Sequence, residues 1–344
     1  MRIASIVRLA VFVLASACAN TRAEVELSPA QQSFRDQLAA KVSALDTKNL
    51  AALAGKDGWL FLASELRYLA HGQFWGEGAG KASRTRNAKA ADPLPAITDF
   101  HRQLNERGIR LLVVPVPAKA AILPDKIGID AAPSASETAP FQDAFYRELR
   151  RAGIDVLDLT ASFSKGDQRG PVYCRTDSHW SGVGCFLAAQ AIAQEIRKHL
   201  AADQPRSQHQ AEWKEISVIG DLAPLTGGAN KPAPEQISIR QVTGATGADP
   251  NSPVLVLGDS HTLVFHEFLA ERAGLIDQLA AELGVPVDLI GTRGSGATPV
   301  RVSMYRRSRS EPEFLAKKKV VVWCFAAREF TEADQGWVVQ PIAK

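Results

Sequence analysis

Two stretches of the 344-residue chain hold side chains whose types and spacing suit nucleophilic chemistry. In "PVLVLGDSHT", Pro253 to Thr262, four apolar residues and a Gly-Asp pair run directly into Ser260. In "CRTDSHWSGVGC", Cys174 to Cys185, Asp177 stands two residues before His179. A serine hydroxyl is a poor nucleophile until a base takes its proton. An imidazole, titrating at about pH 6.5 when unperturbed, works as that base at neutral pH. An aspartate on the same loop can bond Nδ1, fix the tautomer and stabilise the imidazolium, leaving Nε2 free to accept the proton. Singly, each residue has a plainer reading. Asp177 could cap the helix expected after it, with His179 a satisfied surface histidine, and Ser260 could be the N-cap of a helix from about Thr262. Together they supply nucleophile, base and orienting carboxylate.

Such a trio needs a rigid frame. Val254 to Leu257 is apolar throughout, as a strand buried on both faces requires, and "RLLVVPV" (Arg110 to Val116) and "KKVVVWCF" (Lys318 to Phe325) are apolar runs after their leading basic residues. Shorter strands are expected around Val156, in "PVDLIG" and in "GKDGWLFL", where a Gly-bounded turn feeds the strand. Helical patterns fill Ser28 to Leu45, with Ser28 and Pro29 as cap and first-turn residue, and Leu94 to Arg107, Phe141 to Ala152 and Gly184 to Leu200. The segment from Gly76 to Pro93 reads as a surface loop. Strands alternating with helices predict an α/β fold with a central, mostly parallel sheet covered on both faces. Ligands in such folds bind outside the carboxyl ends of the strands, where both stretches fall.

The first 23 residues stand apart from this pattern. Arg2 and Arg8 precede a short apolar run from Leu9 to Ala17, a secretory signal too short to span a bilayer. Three fates are compatible with it: cleavage after Ala23, cleavage before Cys18 to give a lipid-anchored cysteine, or retention as an anchor. Residues 24–344 then form one domain. Of the 40 basic residues, Arg2, Arg8 and Arg22 belong to the leader, which leaves 37 against 37 acidic residues, so the mature chain has no global field for nucleic acid. The local run "MYRRSRS", with Arg306, Arg307 and Arg309, reads as a solvated face. Cys174 and Cys185 bracket the Asp-x-His loop, and in an oxidising compartment a disulfide between them is the expectation. Cys324, inside an apolar run, is expected as a buried free thiol. No cysteine or histidine cluster has zinc-ligand spacing, so neither metal nor other cofactor is expected.

Strand-Gly-Asp-Ser and Asp-x-His are the two marks of SGNH/GDSL-type hydrolases. Ordinary members carry the serine block first and an Asp-x-x-His block last; here the order is reversed and the spacer is one residue. This permuted arrangement resembles the alginate O-acetyltransferases of the AlgJ and AlgX type. "GKDGWLFL", "VPVPAKAAILPDK", "TDSHWS", "LVLGDSHT" and "VVVWCFAAREF" match that family's blocks in order over most of the chain. AlgX adds a C-terminal carbohydrate-binding module; this chain ends about twenty residues after its last expected strand, a layout closer to AlgJ. The resemblance implies an SGNH-hydrolase-like three-layer sandwich, with Ser260 as nucleophile, His179 as base and Asp177 as its orienter. Two departures stand out. The final block has Cys324 near the place of an expected acid, and the asparagine of the usual oxyanion hole has no evident counterpart.

A tetrahedral acyl intermediate needs preorganised donors. The Ser260 N–H is one candidate. The loop "GTRGSG" could bring further N–H groups close through Gly294 and Gly296, although each glycine could equally serve a tight turn. Arg293 could bind a uronate carboxylate or the oxyanion, with Arg328 a rival for that role, and Trp180 could wall a sugar site or pack beneath its loop. The resemblance implies an O-acetyltransferase acting on an exported polysaccharide, alginate or a related polymer, through an acetyl-serine enzyme in the periplasm. An exported domain cannot reach cytoplasmic acetyl-CoA, which implies a membrane-bound O-acyltransferase as donor partner beside other exopolysaccharide secretion proteins. Two rival readings remain: a secreted carbohydrate esterase with water as acceptor, and a catalytically silent polysaccharide-binding scaffold.

Overall fold

The computed structural model describes residues 25–200, 206–228, 233–244 and 247–342; the leader lies outside them. Nine strands are present among these residues: β1 (Ala52–Ala54), β2 (Leu60–Leu62), β3 (Arg110–Val116), β4 (Asp155–Val156), β5 (Gln210–Val218), β6 (Glu235–Thr243), β7 (Val254–Gly258), β8 (Asp288–Gly291) and β9 (Val320–Ala326). Five of them form the central sheet in the order β4-β3-β9-β7-β8. Every neighbouring pair in it is parallel, so all five carboxyl ends emerge on one edge. β7 and β9 are buried along their whole length, the burial that their unbroken apolar runs require.

Alternate residues of β9 show how the two faces are covered. Trp323 meets Phe100 of the helix Pro93–Asn105 at 5.2 Å and carries the Arg301 guanidinium, from the helix Thr298–Ser310, 5.1 Å from its ring centroid. Cys324 turns the other way, toward Cys185 of the helix Gly182–Ile196. The first helix, Pro29–Thr47, opens with a capping box in which Ser28 and Gln31 satisfy each other's backbone N–H groups. Phe34, Leu38, Val42 and Leu45 then bury one stripe of it.

Four expectations need correcting. The helix from Thr262 is a single turn, Ser260–Leu263, because Phe265 takes a left-handed conformation (φ 63°) and turns the chain away. The segment from Gly76 to Pro93 contains three short helical turns and buries Ala79, Ala82, Ala90 and Ala91. Arg307 of the basic run is not merely solvated, since it pairs at 3.0 Å with the buried Asp288. No disulfide joins Cys174 to Cys185. Both are buried free thiols aimed at different carbonyls, Cys174 Sγ toward Trp180 O (3.5 Å) and Cys185 Sγ toward Ala273 O (3.7 Å). Cys324 is also a buried free thiol. No helix among the described residues is long and apolar enough to cross a membrane.

Candidate active site

Ser260 sits just past the carboxyl end of β7, at the start of its one-turn helix. Its N–H is therefore one of those a helix leaves without an intrahelical acceptor. Asp259, wholly buried, shapes the turn: one carboxylate oxygen accepts the His261 N–H at 2.9 Å and the other accepts Ala326 N–H from β9 at 2.7 Å. Burial opposes ionisation of Asp259, but His261, Arg328 and the Ala326 N–H outweigh it and bring its pKa down to about 2.

The structure brings the three sequence-identified residues together. His179 Nε2 lies 2.8 Å from Ser260 Oγ, and His179 Nδ1 lies 2.7 Å from Asp177 Oδ1. The same carboxylate oxygen also accepts the His179 N–H at 2.9 Å, and Oδ2 accepts the Asp221 N–H at 3.1 Å. Burial pushes the Asp177 carboxyl toward protonation, yet these bonds to its charged form prevail and hold its pKa below the ordinary value. An ionised carboxylate on Nδ1 leaves Nε2 facing the serine as acceptor.

Residues far away in the chain hold the Asp177–His179 loop in place. Asp221 accepts both the N–H and the hydroxyl of Ser178 at 2.7 Å, and the Glu235 carboxylate takes Arg175 N–H, Thr176 N–H and Thr176 Oγ1 at 2.8–3.0 Å. From the opposite side the buried Lys119 ammonium donates to the carbonyls of Asp177 (2.6 Å) and Leu60 (2.9 Å). Lys119, Asp221 and Glu235 were not singled out in the sequence, because lone charged residues there carry no local signal. Among the described residues Asp177, His179 and Asp221 are the one group with metal-ligand spacing. Every carboxylate oxygen in it already accepts a hydrogen bond from the chain.

The other candidates divide. Trp180 is fully buried and edge-on to His261 at 5.3 Å, so it packs beneath the loop and offers no face to a sugar. Arg328 is largely buried among Glu65, Asp259, Glu329 and Glu332, its nearest ion-pair contact being Glu65 at 3.6 Å. Its Nη1 is buried without a hydrogen-bond partner, and the surrounding acids hold its charge. Gly296 is a packing residue: a Cβ there would come within 2.6 Å of Phe325 Cβ and 3.2 Å of Asp259 N, and its carbonyl accepts Trp323 Nε1–H at 2.7 Å. Gly294 is exposed and left-handed (φ 103°). Arg293 is also exposed, its guanidinium 4.6 Å from the ring centroid of Phe268, whose ring in turn meets His179 edge-on at 5.6 Å. Behind this loop Ser295 donates to the buried Glu329 carboxylate, and burial raises Glu329 to about 7. His261 is buried with its Nε2 unpartnered, and burial holds it below an ordinary imidazole despite Asp259 beside it.

Residues 52–327 match the family described as the SGNH hydrolase-like domain of acetyltransferase AlgX. The chain belongs to this family. Its fold is accordingly SGNH-hydrolase-like. Relatives include the probable alginate O-acetylase AlgJ of Pseudomonas aeruginosa, 29% identical over 309 residues covering 83% of this chain and 73% of that protein. The Pseudomonas putida counterpart is 25% identical over 315 residues with the same coverage. Among solved structures, the O-acetyltransferase domain of Pseudomonas putida AlgJ superposes with a TM-score of 0.62 at 25% identity, over 82% of this chain and 92% of that one. Pseudomonas aeruginosa AlgX shares the fold, with a TM-score of 0.57 at 16% identity over 87% of this chain and 66% of that one.

Proposed function

We propose that this member of the acetyltransferase family transfers acetyl groups to hydroxyls of alginate through an acetyl-serine enzyme. In the first step Ser260 Oγ attacks the donor's acetyl carbonyl while His179 Nε2 takes its proton, and Asp177 stabilises the imidazolium. His179 then returns the proton to the leaving group as the bond to the donor breaks. In the second step a sugar hydroxyl attacks the acetyl-serine ester, His179 takes that proton and delivers it to Ser260 Oγ, and the acetylated sugar leaves. The observation that carries this reading is the unbroken relay from Asp177 Oδ1 through His179 to Ser260 Oγ, at 2.7 and 2.8 Å.

The Ser260 N–H is the first oxyanion donor on this reading, with the loop N–H groups at Gly294 and Gly296 as the further candidates. Arg293 meets the acceptor's carboxylate one ring beyond the base, held there by Phe268. Alginate is the acceptor because the relatives carry it in their names. Residues 1–23 export the chain to the periplasm, residues 24–344 form the acting domain, and a membrane-bound O-acyltransferase supplies the acetyl group within an exopolysaccharide secretion assembly.

Intact-mass spectrometry tests the scheme. The mature protein treated with p-nitrophenyl acetate should gain one acetyl group, Ser260→Ala should gain none, and added alginate oligosaccharides should take the group up. Loss of the adduct to water alone, with the oligosaccharides unmodified, would replace transferase by esterase. No adduct under any condition would leave a polysaccharide-binding scaffold.

A further inference from the structure

A second site lies on the same edge of the sheet, away from the triad. Beyond the carboxyl ends of β3 and β4 is a cavity of about 600 Å³, within the range of small-molecule sites. Asp143, Tyr146, Arg147 and Arg150 reach it from the helix Pro140–Arg151, and Asp158 and Thr160 from the turn after β4. Tyr146 is 1% exposed, and its hydroxyl has no hydrogen-bond partner. A buried phenol left unpaired costs free energy, of the order of 1–3 kcal/mol, that a bound ligand would relieve. Among the described residues no ion pair joins the two carboxylates to the two guanidiniums, although they line one cavity. Burial and the neighbouring Asp158 raise the Asp143 carboxyl to about 6, a rise that Arg147 and Arg150 only partly offset.

The mixed lining narrows the occupant. A bare cation would meet Arg147 and Arg150, and a simple anion would meet Asp143 and Asp158. A sugar unit presents hydroxyl donors to the carboxylates and ring or carboxylate oxygens to the guanidiniums and the phenol. The cavity opens beside β4, three strands from β7 in the sheet, which places it roughly 14 Å from the nucleophile's strand on the same edge. That is within reach of one polymer chain. We propose that this cavity is a remote subsite for a uronate sugar of the acceptor polysaccharide, holding the chain while a different unit is acetylated at Ser260. The proposal rests on the acceptor class given above.

Binding of short and long alginate oligosaccharides to the Ser260→Ala protein tests it without turnover. Two tethered contacts raise the effective concentration at each site, so long oligosaccharides should bind at least about tenfold tighter than short ones. The double variant Asp143→Asn, Arg147→Ala, in the Ser260→Ala background, should remove that gain and leave short-oligosaccharide binding unchanged. The same pair of substitutions in the active protein should leave p-nitrophenyl acetate hydrolysis unaltered. A long-chain advantage that survives the double variant would overturn the subsite, as would an equal loss for all lengths or a loss of ester hydrolysis. Absence of acetyl transfer would sink the proposed function yet leave this binding comparison readable.

Discussion

Lys119 Nζ donates to the backbone carbonyl of Asp177 at 2.6 Å, so a wholly buried ammonium fixes the residue whose carboxylate meets His179 Nδ1. Burial lowers its pKa, with Glu65 and Asp177 acting against that trend. Lys119→Met keeps the volume and removes the donors to the buried Asp177 carbonyl, at about 1–3 kcal/mol, and to the half-buried Leu60 carbonyl. The variant should melt at lower temperature, and below its melting point its acetyl-serine should form more slowly. Unchanged acylation in a destabilised variant would confine Lys119 to stability.

Glu329 gives the stability of the fold a distinctive pH dependence. Burial raises its carboxyl to about 7, against about 4.3 for a free glutamate. Between those values the folded chain binds more protons at this site than the unfolded one, so stability contributed by Glu329 falls as pH rises from about 4.3 to 7. Asp259, held at about 2, works oppositely: its contribution is full above an unfolded aspartate's value of about 3.9 and is lost as pH falls toward 2. Urea titrations across pH 5–7 should therefore show a downward slope in the native protein that Glu329→Gln reduces, with Asp143, raised to about 6, supplying a remainder below that pH. An identical slope in the variant would move its origin elsewhere.

The two glycines of the loop after β8 should respond differently to alanine. At Gly296 the added Cβ would press on Phe325 and on the backbone beside Ser260, so stability and acylation should fall together. At Gly294 the space is open and only the left-handed backbone resists, a cost on the order of 1 kcal/mol. Parallel melting curves and acetyl-enzyme yields separate the cases; equal losses at both positions would refute the distinction.

The sheet and the trio were legible for the same reason. Strands buried on both faces must be apolar throughout, which exposes β3, β7 and β9 in the sequence, and the serine follows one of them directly. Asp177 and His179 share a loop, so their pairing is local. The β5–β6 pair escaped because its residues are mostly exposed or half-buried and carry charges such as Glu212, Lys214 and Glu215. Lys119 and Glu235 act on the base loop across 58 and 59 residues, a relationship no spacing rule reveals. The expected disulfide failed on direction: proximity in sequence says nothing of where a thiol points, and these two point at separate carbonyls.

The strand order carries a consequence for how the molecule is made. β9, the last strand among the described residues, lies in the middle of the sheet, between β3 and β7. While synthesis is still short of Val320, β3 and β7 have no common neighbour, and the Asp259 carboxylate has no Ala326 N–H to hold. The nascent chain therefore carries Asp177, His179 and Ser260 well before it carries the strand that joins β3 to β7. Assembly must wait for distant segments to meet, a slow and non-local closure. A ribosome that stalls before Val320 leaves the two halves of the sheet unjoined and the turn before Ser260 without its anchor on β9.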